Sequence, residues 1–143
     1  MNRKDRERFD VLFEEVLEAL PDGIHRLLDE APVILEDRPS RKMLDDLGID
    51  PEDDDLCGLH TGVPLTQRSV NDHGVLPDVI HLFREGIVDQ AGGWDEVPDD
   101  EGPPGAMMGG EERIREEIRI TLLHEIGHHF GLDEDDLDRL GYA

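Results

Sequence analysis

Cysteine, positive charge and long apolar runs are all scarce in this chain, and each shortage narrows the class of protein. Cys57 is the single cysteine in 143 residues, so no disulfide can form within the chain. Lysine and arginine total 14 against 37 aspartates and glutamates, which gives a net charge of −23 at pH 7. Nucleic acids and anionic membrane surfaces bind to cationic surfaces, so we expect neither as a partner.

The sequence also lacks an apolar run of about 18 residues, the length needed to span a membrane. Residues 1–8 are charged and lead into an amphipathic, acid-containing helix, unlike the uninterrupted apolar core of a signal peptide. Together with the lone cysteine, these features predict a cytoplasmic protein. The acidic surface has two interpretations: it keeps the protein soluble, or it favours basic substrates and partners.

Length and composition predict one domain, residues 1–143. A hydrophobic content of 36% is low, but a chain of this length can bury a core without disulfides. A helix is predicted over residues 5–20, because apolar residues recur there at helical spacing until Pro21. A second helical segment over 24–30 and a strand over 32–36 follow. The stripe of the first helix consists of Phe9, Leu12, Phe13, Val16, Leu17 and Leu20.

The middle of the chain is predicted to contain strands separated by polar segments. Residues 37–55 form a surface excursion with one turn of helix at 42–47, and strands are predicted over 56–60 and 78–83. Residues 63–66 are extended at a sheet edge, because Pro64 cannot donate to a ladder. Residues 92–110 carry six glycines and three prolines, which predicts a flexible loop or a lid. Helices over 111–130 and 134–140 complete an α+β fold.

The segment from His124 to His128 matches the pattern H-E-x-x-H within the long 111–130 helix. Four residues of helix amount to about 400° of rotation, so the two histidines lie roughly 40° apart on one face. Both imidazoles can therefore reach one metal ion at about 2.0–2.1 Å. Glu125 lies beside them, where a carboxylate can act as general base toward a water at the metal.

Apolar residues cover most of the remaining circumference of this helix, so we expect it to be buried with both histidines facing the interior or a cleft. The alternative is two histidines with structural partners that merely share a face. The Glu between them favours the metal site. The apolar residues are Ile114, Ile118, Ile120, Leu122, Leu123, Ile126 and Phe130.

A third ligand is expected after Gly131, which can end the helix in a left-handed conformation. The longer pattern H-E-x-x-H-x-x-G-x-x-ligand places Glu134 in the ligand position. A carboxylate oxygen is an acceptable zinc ligand. Asp133 and Asp135 remain alternatives, and all of these acids could instead serve the N-terminus of the last helix.

The other histidines carry no ligand spacing. His129 projects about 100° away from His128 around the helix, so we expect it to be no ligand. Ordinary surface or core roles are expected for His25, His60, His73 and His81.

The stretch Thr121–Leu132 closely resembles the bacterial minimal zincins, which are small metzincin-like zinc metallopeptidases. The resemblance extends upstream and keeps its order along the chain. Residues 9–21 are similar to the opening helix of that family, 58–68 to its G-L-x-x-G-x-P-L-x-x-R segment, and 77–80 to its P-D-x-I strand.

This resemblance implies a small sheet beside the zinc helix and one Zn²⁺ per chain, held by His124, His128 and an acid in the Glu134 position. The sequence departs from the full metzincins in two respects. Glu134 stands where they have a third histidine, and no methionine follows it. The minimal zincins usually carry Asp in this position, so Glu adds one methylene.

The predicted function is that of a zinc metalloendopeptidase that hydrolyses peptide or protein substrates, with Glu125 as the catalytic base. Tyr142 is a candidate oxyanion stabiliser, and the sheet edge near residues 58–65 is a candidate site for the substrate strand. Two alternatives belong to other classes: a non-catalytic, zinc-stabilised module that binds a basic partner, and an acidic inhibitor or mimic that uses only its charge.

Overall fold

The first helix begins where the sequence offers a cap and ends where it meets a proline. In a computed structural model, which describes residues 1–50, 56–61 and 79–139, α1 spans Arg3–Ala19. The Asn2 side chain accepts the backbone N–H of Asp5 at 2.8 Å, and Pro21 follows the last turn. The predicted apolar stripe is largely buried, with Phe9, Leu12, Phe13 and Val16 inside and Leu17 partly buried.

The remaining elements follow in the predicted order, with two additions. Ser40 caps α3 by accepting the backbone N–H of Met43 at 3.1 Å. After α1 come α2 Asp22–Glu30, β1 Val33–Glu36, α3 Arg41–Leu47, β2 Gly58–Thr61, β3 Val79–Phe83, α4 Arg84–Ala91, β4 Val97–Pro98, β5 Met107–Met108, α5 Glu111–Phe130 and α6 Glu134–Arg139.

The main sheet has the strand order β1-β3-β2 and is mixed. β1 runs parallel to β3, with Val33 opposite Ile80, and β2 runs antiparallel to β3, with Gly58 opposite Leu82. One face packs on the helices, because Ile80 and Leu82 are fully buried in the core shared with α1 and α5. The α+β prediction is confirmed, and β2 lies at an edge of this sheet within the described part of the chain.

Two features of the fold were not predicted. Helix α4 follows β3 directly and buries Ile87, Val88 and Ala91. A helix this short is stabilised by tertiary packing more than by its own propensity, and Gly86 weakens its sequence signal. Within the predicted loop 92–110, β4 and β5 form an antiparallel hairpin, with Val97 opposite Met108.

Several predictions fall outside the described residues or differ in their bounds. Residues 51–55 of the predicted surface excursion, the extended segment 63–66 with Pro64, His73 and Tyr142 lie outside them. The strand predicted to begin at residue 56 begins at Gly58. The loop predicted over residues 92–110 contains β4 and β5, and its role as a lid stays a prediction. No helix among the described residues is long and apolar enough to cross a membrane.

Arg84 connects three separate parts of the fold through charged hydrogen bonds. Its guanidinium donates to both carboxylate oxygens of Asp10 on α1, at 3.0 and 3.2 Å, and to Asp37 after β1 at 3.1 Å. Arg6 donates to the other oxygen of Asp37 at 2.8 Å. The Arg84 side chain is 12% exposed, so these bonds are shielded from water. Paired, partly buried groups of this kind contribute more than an exposed pair.

The pKa of Asp37 lies below its usual range. Burial acts to raise this pKa, but the hydrogen bond and positive charge of Arg6, together with the hydrogen bond from Arg84, outweigh it. A carboxyl with a lowered folded-state pKa stabilises the fold fully above its unfolded pKa of about 3.9. That stabilisation is lost as the pH falls through the lower folded-state pKa.

We expect Arg84→Met to lower the free energy of unfolding by about 2 kcal/mol at pH 7, because it leaves two acids without a shielded donor. The difference from wild type should shrink as the pH falls below about 4, because Asp37 then becomes protonated and its pairing with Arg84 is lost. Urea unfolding across this pH range measures both effects. Arg3→Met is the control: among the described residues, Arg3 pairs with Glu7 alone, on the surface of α1, and its loss should cost less than about 0.5 kcal/mol. Equal costs for the two variants would contradict the assigned role of Arg84.

Candidate metal centre

The two motif histidines lie side by side on α5. The ring centroids of His124 and His128 are 4.3 Å apart, and the ring planes are tilted by 51°. The helix runs unbroken from Glu111 to Phe130, so the four-residue spacing places both rings on one face, as predicted. Two adjacent imidazoles with free approach from one side suit Zn²⁺, which prefers nitrogen, sulfur and carboxylate ligands.

The sequence predicted that both histidines face the interior or a cleft. They do not face the interior, and the cleft stays a prediction. His124 and His128 are exposed, and they continue a stripe that begins with Arg113 and Glu116 at the start of the helix. Ile120, which the sequence placed among the buried apolar residues, lies on this stripe and is 44% exposed. The helix is therefore buried on one side only, and the histidines occupy the solvent side.

Glu125 lies on the buried side of the same helix. Its side chain is only 7% exposed, because one residue of helix turns it about 100° from His124 toward the sheet. The motif therefore straddles the boundary between solvent and core. The exposed rings can take a metal ion from solution, while the carboxylate is sheltered next to them.

Strand β2 packs closely on the buried side of the motif. A Cβ added to Gly58 would lie 2.7 Å from Thr121 Cγ2, 3.1 Å from Glu125 Cγ and 3.2 Å from the His81 carbonyl oxygen. Thr121 and Glu125 are one helical turn apart, so both face the strand. A residue with no side chain at position 58 is what allows the edge strand to pack directly on Glu125.

The chain turns back sharply after the motif. Gly131 has the left-handed conformation that was predicted for it, with φ 65° and ψ 33°. The backbone N–H groups of Gly131 and Leu132 both donate to the Gly127 carbonyl, Leu132 at 2.9 Å. A Cβ at Gly127 would lie 3.1 Å from the Leu132 carbonyl oxygen, so the glycine inside the helix allows this return.

The acids after this turn have different surroundings. Asp133 accepts the backbone N–H of Asp136 at 2.8 Å, and Asp136 accepts that of Asp133 at 3.1 Å. This reciprocal cap starts α6, and the backbone N–H of Asp136 is the main reason that the pKa of Asp133 is lowered. Glu134 is the first residue of α6, and its side chain lies outside the described residues. Asp135 is exposed. Among the side chains that the structure describes, no group of three is placed to hold a metal ion.

A family model described as "zincin-like metallopeptidase" matches residues 28–100 and 102–142 of the chain. The chain belongs to the zincin-like metallopeptidase family. The matched ranges contain β2, the whole of α5 and Glu134. Membership implies zinc binding and peptidase chemistry acting on peptide or protein substrates, in agreement with the resemblance found in the sequence. A search of curated proteins gives no match.

The sequence did not predict that Gly58 and His81 lie close to the H-E-x-x-H motif. Gly58 lay in a predicted strand and at a candidate substrate edge, but its contact with α5 was not predicted, because that contact depends on how the strand packs. His81 was expected to have an ordinary role, yet it is 7% exposed and hydrogen-bonded to side chains of both neighbouring strands, Glu36 and Thr61. No spacing along the chain links Glu36, Thr61 and His81, so only the strand register brings these three residues together.

We expect Gly58→Ala to lower the free energy of unfolding by about 1–3 kcal/mol, because the new methyl group overlaps Thr121 Cγ2. Thr121→Ser removes that methyl group and should restore part of the loss, while Glu125 Cγ and the His81 carbonyl still limit the space. Urea unfolding of both single variants and of the double variant measures the coupling between the two positions. Simple additivity in this cycle would contradict the close contact of β2 with α5.

Proposed function

We propose that this chain is a zinc-dependent metalloendopeptidase. The observation that carries the proposal is the arrangement on α5, where two adjacent exposed imidazoles stand next to one buried carboxylate. Two structural histidines would have no need of such a neighbour. The family, to which residues 28–100 and 102–142 are matched, supports the same chemistry.

We propose that His124, His128 and Glu134 hold one Zn²⁺ per chain. The donor set fits this ion, since two imidazoles and a carboxylate are the protein ligands of several catalytic zinc sites. Bound zinc supplies Lewis acidity, which polarises a substrate carbonyl and makes water more acidic. Asp133 is less suited than Glu134 because its carboxylate already caps α6. Asp135 is the remaining alternative.

We assign the proton transfers to Glu125. Its carboxylate takes a proton from the attacking water and passes it to the leaving amine, as expected of a general base that becomes a general acid. Contact with Gly58 and burial to 7% exposure limit the conformations of the side chain. A carboxylate with little freedom needs less reorganisation during the reaction.

We further propose that the substrate is a basic, extended peptide. Strand β2 lies at the edge of the described sheet, next to Glu125, and the open edge of a strand can accept an extended chain as an additional strand. The net charge of −23 favours the approach of basic sequences, particularly at low salt. The single cysteine supports a reducing compartment, and we propose the cytoplasm.

The main alternative is a zinc-stabilised module that binds a basic partner without cleaving it. A structural zinc site is closed by four protein ligands, whereas a catalytic site keeps one position open. The buried acid next to the histidines favours catalysis, because a closed site has no use for Glu125. An acidic inhibitor or mimic would need none of these residues.

We expect the protein to retain about one zinc per chain after dialysis and His128→Ala to lose it, because two remaining ligands hold zinc poorly. Elemental analysis of untagged protein provides the measurement. His25→Ala is the matched control, since His25 lies on α2 and should not affect zinc. Wild-type protein that takes up no zinc even when it is offered would refute the metal site.

A measurement of zinc affinity identifies the third ligand. Glu134→Gln should weaken zinc retention in a chelator competition by more than the roughly 10–100-fold that loss of an outer-shell partner costs, while Asp135→Asn should keep wild-type affinity. The opposite result would transfer the ligand role to Asp135.

We expect Glu125→Gln to keep zinc and to lower the rate of peptide hydrolysis by a factor of about 10²–10⁴, because the amide cannot accept the proton. Initial rates on a quenched-fluorescent peptide of mixed sequence with flanking lysines measure this. Glu117→Gln, on the same helix but two turns away, is the matched control and should leave the rate unchanged. Hydrolysis that survives in Glu125→Gln would show that the base is assigned incorrectly.

A further inference from the structure

Three side chains on the outer face of the sheet form one hydrogen-bonded line across all three strands. His81 Nδ1 lies 2.6 Å from Glu36 Oε1 on β1, and His81 Nε2 lies 3.2 Å from Thr61 Oγ1 on β2. The strand register explains this line. Ile34 and Leu59 lie directly opposite His81, and two residues further along their strands Glu36 and Thr61 are the diagonal neighbours of His81 on the same face. Phe83 stacks against the His81 ring, with centroids 6.2 Å apart.

The proton positions in this line are consistent in either charge state of His81. Nδ1 donates to the Glu36 carboxylate, which leaves Nε2 of the neutral ring to accept the Thr61 hydroxyl. In the charged ring, Nε2 donates to Thr61, whose hydroxyl can then donate to the Val79 carbonyl at 3.4 Å. His81 is 7% exposed, so these bonds compete little with water.

Thr61 is the last residue of β2, and the line therefore fixes the far end of the strand. The near end is fixed differently. The Phe83 backbone N–H donates to the Cys57 carbonyl at 2.8 Å, and Gly86 of α4 allows close approach to the Leu56 carbonyl. Gly58, between these two anchors, packs on Glu125. Position 58 faces α5, and the Thr61 side chain lies on the opposite face of the sheet. The hydrogen-bonded line can therefore affect Glu125 only through the backbone of β2.

We propose that Glu36, His81 and Thr61 are positioning residues. They hold β2 against α5 and so keep the Glu125 side chain in the position that the reaction requires. The inference rests on the proposed function for its effect on catalysis. The anchoring of β2 is a property of the fold and can be measured without any activity.

The test compares Thr61→Val with Thr61→Ser. Valine keeps the β-branched shape and removes the hydroxyl group, whereas serine keeps the hydroxyl group and loses a methyl. Hydrogen–deuterium exchange of a peptide covering residues 56–61 reports on β2, and a peptide from α1 is the internal reference. Loss of one hydrogen bond should speed local exchange in Thr61→Val about fivefold, with α1 unchanged and Thr61→Ser near wild type. Glu36→Gln, which weakens the other end of the line, should change exchange in the same direction.

The kinetic measurement separates positioning from general stability. With the same lysine-flanked peptide, kcat should fall about fivefold in Thr61→Val, with KM and zinc content near wild type, and Thr61→Ser should recover the rate. Unchanged exchange in residues 56–61, equal losses in Val and Ser variants, or a change in KM alone would each overturn the proposal. Wild-type protein without hydrolysis would refute the proposed function, while the exchange comparison would still decide whether the line anchors β2.

Discussion

The contact between Gly58 of β2 and the buried side of α5 is the constraint on which the rest of the site depends. Thr121 and Glu125 occupy the space that any side chain at position 58 would need. This contact places the edge of the sheet next to the motif and against the Glu125 side chain. Glu125 is 7% exposed, whereas both histidines of the motif are exposed.

The division of α5 between solvent and core gives each motif residue a different environment. The histidines lie on the exposed stripe, where a hydrated metal ion can reach them, and the acid lies on the buried side. A rotation of about 100° per residue is enough to separate neighbouring side chains in this way. Gly131 then reverses the chain, and the reciprocal cap between Asp133 and Asp136 begins α6 with Glu134 as its first residue.

Several of the few positive charges of this acidic chain join separate elements. Arg84 links α4 to α1 and to the end of β1, while Arg115 of α5 pairs with Glu15 of α1 at 2.6 Å. Arg8 pairs with Glu111 and lies 4.4 Å above the Trp94 ring, which attaches the hairpin segment to α1. With a net charge of −23, repulsion between acids opposes compaction, and these contacts offset part of it locally.

The sequence alone determined the local features of this protein. Helical periodicity predicted α1 and α5 nearly to the residue, Gly131 was expected in the left-handed conformation, and the motif predicted adjacent histidines. These follow from neighbours within one or two turns of the chain, so local spacing is sufficient. The tertiary structure decided which side of α5 is buried, that α4 forms, that Gly58 packs on Glu125, and that Glu36, His81 and Thr61 meet. Each of these depends on strand register or on packing between distant segments, and no pattern along the chain encodes such distances.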